Sequence, residues 1–488
     1  MRGIMKKKNV IRMKRLLTAL IIVMLLNLVL LLLPAVPRSP KNVPGGGGKE
    51  NSGAEDLALP DGENISGATN GGDFPDEAGF GNSSMDDISI GTEDGSPVTQ
   101  DSSMSAPAAS DGTNAAFGSV GNNSDADNTV TLCLMGDLMC LAGQQYTAER
   151  RDNTHDYTGS FYFLRDTFTA CDFVVGNLET TLSESNPYST KEREVNEQPN
   201  CNAPADYLAS LKWAGITHLV TANNHSLDGG LTGIEETIAH LEEYGIPHTG
   251  TYRMDYHGAR YLMLEKNGIR IALLSFTELI NQRALVTPAQ LSHIIDSYSC
   301  ADAEKRIAQA RDDGADFVIV YEHWGSENVH EVRAYQKSHA KEIAEAGADL
   351  IIGSHPHCLQ EMETIVTQDG RSVPCFYSLG NVVSSMTRDI NHDTVFVLVQ
   401  LQRNAGGMHV QGTKPQTEPS SQQDVPEAFE SGKAGIASMS LLACHVLTSF
   451  EGYYRVITPV NYPTDDNKAA AELAEAKVRI EGIFAPFQ

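Results

Sequence analysis

Basic residues are scarce in this chain beyond its first fifteen positions. The 488 residues hold 36 Lys and Arg against 63 Asp and Glu, a formal net charge of -27. Arg2, Lys6, Lys7, Lys8, Arg12, Lys14 and Arg15 crowd the opening stretch, which has no acid. Phosphate contacts need Lys and Arg, so the acidic remainder argues against nucleic acid as a partner. Cysteine is also sparse, with eight residues and no Cys-x-x-Cys pair. That excludes a zinc ribbon, and no spacing selects disulfide pairs. Cys133, Cys171 and Cys375 lie in or beside apolar runs, where Cys behaves as a small hydrophobe. Internal repeats are absent.

Charge is missing altogether from Leu16 to Pro37, a run dominated by Leu, Ile and Val. About 20 such residues span a bilayer core of roughly 30 Å as a helix. The basic cluster at 1–15 then stays cytoplasmic and the rest of the chain is exported. The expectation is a single-pass anchor at 16–37 in the cell membrane; a cleaved signal peptide is the alternative, although its apolar core is usually shorter. Large apolar residues are few from 38 to 128, which is Gly-, Ser- and Asp-rich and includes the run Gly45 to Gly48. Such a segment cannot offset the entropy of folding and reads as a disordered acidic linker.

What is there begins at Thr129. Short apolar, β-rich runs alternate with helical patterns from 129 to 488, interrupted by a polar, flexible insertion at 403–433. Strands are expected at Thr129 to Met135, Phe173 to Val175, His218 to Thr221, Phe317 to Val320, Leu350 to Ile352, Val373 to Tyr377 and Thr394 to Leu401. Helices are expected at Pro204 to Gly215, Ile234 to Tyr244, Ala301 to Asp313, Val332 to Ala346 and Asn467 to Ile480. Asn267-Gly268 joins two apolar runs as a hairpin turn pair. The alternation indicates an α/β layered fold.

Five of the expected strands end in polar clusters: Asp137; Asn177 with Glu179; Asn223-Asn224-His225, followed by Asp228; His323; and His355 with His357. In open α/β sheets ligands collect at the carboxyl ends of strands. Carboxylates, an amide and several imidazoles together form the donor inventory for Mn, Fe or Zn-like ions. Asp228 is close enough in sequence to orient His225 as a general acid.

In this order, Gly-Asp137, Asn177-Leu-Glu179, Asn223-Asn224-His225 with Asp228, His323-Trp-Gly325 with Glu327, Gly353-Ser-His355-Pro-His357 and Ser378-Leu-Gly-Asn381 resemble the CapA family. These are bacterial capsule-synthesis proteins associated with poly-γ-glutamate. The resemblance covers about Thr129 to Pro459. That family is in turn similar to calcineurin-like metallophosphoesterases, which implies a four-layer α/β/β/α sandwich with a two-metal centre. It implies Asp137 and His357 on metal one, Glu179 as the bridge, and Asn224, His323 and His355 on metal two. His225 is implied as the proton donor. Asn177, Asn223, Glu327 and Asn381 are expected to support the ligands or meet substrate, with Glu327 fixing His323. The phosphoesterases carry Asp-x-His where this chain has Asp137-Leu138-Met139, so metal one loses an imidazole. We therefore expect one complete divalent-metal site and one weak or absent site. The substrate implied is a phosphoester or an anionic γ-glutamyl polymer, with membrane synthase subunits as partners. A non-catalytic polymer-binding or assembly role is the alternative. Lys191, Arg193, Arg253 and Arg388 are candidates for a basic patch near the motifs.

Overall fold

The computed structural model describes residues 128–196, 200–403, 434–448 and 455–484. The expected tail, anchor and linker, up to residue 127, and all but the first residue of the insertion at 403–433 lie outside the described residues. Among the described residues no helix is long and apolar enough to cross a membrane.

Two sheets carry the fold. The first is eight-stranded. It contains β1 (Thr129–Leu138), β2 (Phe173–Leu178), β3 (His218–Val220) and β4 (His248–Thr249). The second is six-stranded and holds β5 (Leu262–Lys266), β6 (Ile269–Thr277), β7 (Phe317–His323), β8 (Leu350–Ser354), β9 (Leu359–Val366) and β10 (Ser372–Leu379). The chain then returns to the first sheet with β11 (Asn381–Val383), β12 (Asp393–Arg403), β13 (Ala434–Leu447) and β14 (Val456–Pro459). The orders are β14-β13-β12-β1-β2-β3-β4, with β11 also on β1, and β5-β6-β7-β8-β10-β9. In each sheet one run of neighbouring strands, β1 to β4 in the first and β6, β7, β8 and β10 in the second, pairs in parallel. Parallel pairing brings their carboxyl ends to one edge of each sheet.

Five helices of nine or more residues pack on this frame: α1 (Asp206–Ala214), α2 (Gly230–Tyr244), α3 (Cys300–Asp312), α4 (Ala334–Glu345) and α5 (Asn467–Phe484). α1 ends at Gly215, left-handed at φ 105°, as a glycine just past a helix end allows. The Asn267-Gly268 turn has φ of 52° and 70°, the left-handed pair that matches hairpin twist. β9 is not among the strands expected from the sequence. Gln360, Glu361, Glu363 and Thr364 interrupt its apolar run, and its pairing with β10 supplies the order instead.

Strand alternation sorts the core into layers. Val130, Leu132 and Leu134 of β1 face Ile271, Leu273, Phe317, Ile319 and Ile352 of the second sheet. Cys133, Val174 and Leu219 point the other way, onto Leu208 and Leu211 of α1. Val318, Val320 and Ile351 point outward onto Ile307 of α3 and Ile343 of α4. Helices, sheet, sheet and helices therefore stack in that order. The eight cysteines are all free thiols, and seven of them are buried.

Candidate metal centre

The same alternation delivers the site. In β2, Val175 faces the second sheet, so Asn177 and Glu179 face it too. In β7, Phe317, Ile319 and Tyr321 are inward, and His323 follows in phase. Asp137 needs a correction to this pattern. The even residues Val130, Leu132 and Leu134 are inward, which would turn Asp137 outward. The register of β1 against β2 shifts between Leu134 and Asp137, and a bulge of this kind re-aims the side chain. Leu138 accordingly joins the outer core. The bulge rests on Gly136, where an added Cβ would sit 2.0 Å from the carbonyl oxygen of Gly380.

Eleven of the twelve expected site residues are buried: Asp137, Asn177, Glu179, Asn223, Asn224, His225, Asp228, His323, His355, His357 and Asn381 are each at most 6% exposed. The two histidines of the His355-Pro-His357 turn hold positive φ, 96° and 54°. That conformation costs roughly 1–3 kcal/mol per residue and concentrates at functional sites. It lets the His355 N–H donate to Asp137 Oδ2 at 3.1 Å. Asn177 donates to Asp137 Oδ1 at 2.7 Å, and Asn223 donates to Asn177 Oδ1 at 3.1 Å. His357 Nδ1 lies 2.9 Å from Asn381 Oδ1 and 3.5 Å from Asp137 Oδ2.

Glu179 is the hub. Its Oε1 is 3.4 Å from His323 Nε2, 3.7 Å from His357 Nε2 and 4.0 Å from His225 Nε2. Asn224 Oδ1 is 2.8 Å from the same His323 nitrogen. Two ligand-like triads share Glu179: one with His355 and His357, one with Asp137 and His323. The triads divide the other ligands differently from the expected split, which put Asp137 with His357 and His323 with His355.

Burial by itself would raise the Asp137 carboxyl. The His357 hydrogen bond and the charges of His323 and His357 outweigh it and hold Asp137 below the usual carboxylate range. Burial, then the neighbouring imidazoles His323, His357 and His225, keep His355 neutral. A neutral imidazole is the form that ligates a metal. His225 is the opposite case. Burial opposes its protonation, but Cys201 and Asp228 raise it well above its ordinary value. Its Nδ1 is 2.7 Å from Asp228 Oδ2, and that oxygen also accepts the Cys201 N–H at 2.6 Å.

These residues fit a divalent ion. Both oxygens of Glu179, and Nδ1 of His355, are buried with no hydrogen-bond partner. A buried carboxylate in that condition is strongly unfavourable unless a cation compensates it. The donors are oxygen and imidazole nitrogen, a set suited to Mn, Fe or Zn.

Glu327 does not take its expected place. It is exposed, and Ser354 Oγ lies 2.8 Å from His323 Nδ1 instead. The left-handed turn at Gly325, φ 98°, follows His323 and precedes Glu327. Ser354 was legible in principle, because it lies in phase with the inward Leu350 and Ile352 of β8. Cys201 carried no signal, since it comes from a loop whose position is set by the fold. Of the four bases considered, Arg193 lines a polar pocket of about 330 Å³ with Asn186, Asn200 and Asp228. Arg253 instead pairs with Glu242 at 2.7 Å.

Residues 131–386 match the family described as bacterial capsule synthesis protein PGA_cap. The PGA biosynthesis protein CapA of Bacillus subtilis is 27% identical over 286 residues, covering 58% of this chain and 70% of that protein. The capsule biosynthesis protein CapA of Bacillus anthracis is 29% identical over 280 residues, covering 56% and 64%. Among solved structures, the calcineurin-like phosphoesterase YfkN of Bacillus subtilis aligns at 13% identity and TM-score 0.35, covering 73% of this chain and 99% of that one. The NAD nucleotidase NadN of Haemophilus influenzae aligns at 12% and TM-score 0.39, covering 73% and 61%. The family match spans more than half of the sequence, and the chain belongs to the bacterial capsule synthesis protein PGA_cap family.

Proposed function

We propose that this protein is a membrane-anchored surface component of capsule or poly-γ-glutamate synthesis whose folded domain is a metal-dependent hydrolase. One observation carries the reading: the fully buried Glu179 carboxylate, without a hydrogen bond, among His323, His357 and His225. Asp137, Glu179, Asn224, His323, His355 and His357 would hold the metal. The chemistry a divalent ion supplies there is polarisation of a phosphoryl or carbonyl oxygen and acidification of water.

The remaining work falls to the chain. His225, kept protonated beside Asp228, stands ready to give its proton to a leaving group. Asp228, fixed by the Cys201 N–H, holds the ring by its Nδ1 and leaves Nε2 toward Glu179. Asn177 and Asn223 tie the ends of β1, β2 and β3 together and keep the acids in place. The substrate class is a phosphoester or an anionic γ-glutamyl polymer, with membrane synthase subunits as partners. The uncharged run from Leu16 to Pro37 supports anchoring. The test is metal content of the purified protein together with hydrolysis of a generic phosphomonoester and phosphodiester after Mn loading. Bound metal with turnover supports the reading; no bound metal after loading removes it.

A second reading has its own observation. Met139 replaces the imidazole of the phosphoesterase first motif, and it is buried. Bound metal without turnover on either ester or on a γ-glutamyl polymer would favour an assembly subunit that binds polymer.

A further inference from the structure

A second group of ligand-type side chains lies beside the centre. Cys201, His225 and Asp228 place a sulfur, a ring nitrogen and a carboxylate oxygen all within 4.8 Å of one another. The three residues are buried. The loop holding Cys201 is locked to the others through its backbone, whose N–H reaches Asp228 Oδ2 at 2.6 Å. His225 Nδ1 meets that same oxygen at 2.7 Å.

The other oxygen, Asp228 Oδ1, is buried and has no hydrogen-bond partner. So is Oδ1 of Asn200, the residue before Cys201. Both residues line the pocket of about 330 Å³, together with Arg193, Gly229 and Gln282. Two orphaned acceptors on residues of one pocket call for a donor or a cation. A thiol and an imidazole beside them select a cation, and a thiophilic one. Zinc binds sulfur at about 2.3 Å and nitrogen or oxygen at roughly 2.0–2.2 Å. Around a tetrahedral ion such donors stand roughly 3.3–3.8 Å apart, so side-chain adjustment suffices to close the group. The pocket reaches the group at Asp228, the side from which a water would supply the fourth ligand.

We propose that Cys201, His225 and Asp228 form a separate site for a thiophilic divalent cation of the Zn²⁺ or Cd²⁺ class, entered through the pocket at Asn200 and Asp228. Its donor set differs from that of the main centre, where oxygen and nitrogen serve and sulfur does not. Binding replaces the Cys201 S–H bond with a metal–thiolate bond and one ring N–H bond of His225 with a metal–nitrogen bond, and both protons leave to solvent. The ion also claims His225, so occupancy blocks proton donation. This inhibitory consequence rests on the proposed role of His225; the binding itself does not.

The test uses the full-length protein, with its main centre filled with Mn²⁺ and then titrated with Cd²⁺. Thiolate-to-cadmium charge transfer is read in the ultraviolet. A band that saturates at one equivalent is expected. It should vanish in Cys201→Ser and persist in Cys300→Ser, which removes the one thiol that is not buried. Serine keeps the backbone N–H that holds Asp228, and a thermal melt checks the fold of each variant. No band in the parent protein overturns the proposal. So does a band that survives Cys201→Ser. The readout is independent of turnover: a protein that hydrolyses nothing still shows the band if the site is real.

Discussion

Oε1 of Glu179 lies 3.4 Å from Nε2 of His323, yet neither oxygen of that buried carboxylate accepts a hydrogen bond. A native core rarely leaves a buried carboxylate without hydrogen bonds, because desolvating such a charge costs several kcal/mol. The pair therefore defines where positive charge must enter. Glu179→Gln should leave the metal-free protein as stable as the parent or more so. It should also erase the rise in melting temperature that metal produces, which is about 2.7 kcal/mol of stabilisation at a hundredfold excess over Kd. An undiminished metal-dependent rise in the variant would contradict the hub role.

His225 and Asp228 act on protons in the proposed mechanism and need not alter the Mn content of the main centre. His225→Ala is expected to lower kcat on a phosphoester by about 10²–10⁴ with the Mn content of the main centre unchanged. Asp228→Asn should shift the pH profile as well as the rate, since the carboxylate raises the affinity of His225 for its proton. Equal turnover in the parent and His225→Ala would remove the histidine from catalysis.

Ser354, not Glu327, sits against His323 Nδ1. Groups that orient a ligand imidazole typically account for about 10–100-fold in metal affinity. Ser354→Ala should show a loss in that range by competition with a chelator, and Glu327→Gln should show none. The reverse result would return Glu327 to the place the sequence suggested for it.

Gly136 has no room for a side chain: a methyl group there would lie 2.0 Å from the carbonyl oxygen of Gly380, far inside contact distance. Gly136→Ala should destabilise the fold by about 1–3 kcal/mol or more, as overpacking does. It should also weaken metal binding, because the bulge aims Asp137. A denaturant titration and a metal count on the same sample separate the two effects. Retention of both would mean that the bulge is tolerant.

Asp393, at the start of β12, joins α5 to the sheet. Arg479 donates to it at 2.7 and 3.0 Å, and His445 Nδ1 stands 2.7 Å away. Burial would raise this carboxyl, but His445 and Arg479 lower it below its ordinary 3.8. A depressed carboxylate contributes stability above its unfolded value and loses it as pH falls through the folded one. The contribution should therefore be present from about pH 4 upward and fade below that. Asp393→Asn should flatten this acid limb in urea titrations run at several pH values. An unchanged acid limb would mean that the clamp adds nothing.

Much of the site was written in the sequence. Period-two alternation in Phe173 to Glu179 and in Phe317 to His323 sets Asn177, Glu179 and His323 on the face that also receives Val175 and Ile319. Glycine-bounded apolar runs located most strands and the long helices for the same reason: local sterics and burial patterns act within a few residues. The order of the motifs was enough to suggest the family. Other facts arise only when distant segments meet. The turn that brings Asp137 inward depends on a register shift against β2 and on the carbonyl of Gly380, far along the chain. β9 exists because β10 offers it hydrogen bonds, not because its own pattern is strongly apolar. Ser354 displaces Glu327 because strand direction, not sequence proximity, decides what reaches an imidazole. Cys201 meets His225 and Asp228 through a loop whose course is set by contacts with other segments. Alternation and spacing determined which side chains share a face; pairing between strands far apart in sequence decided which of them touch.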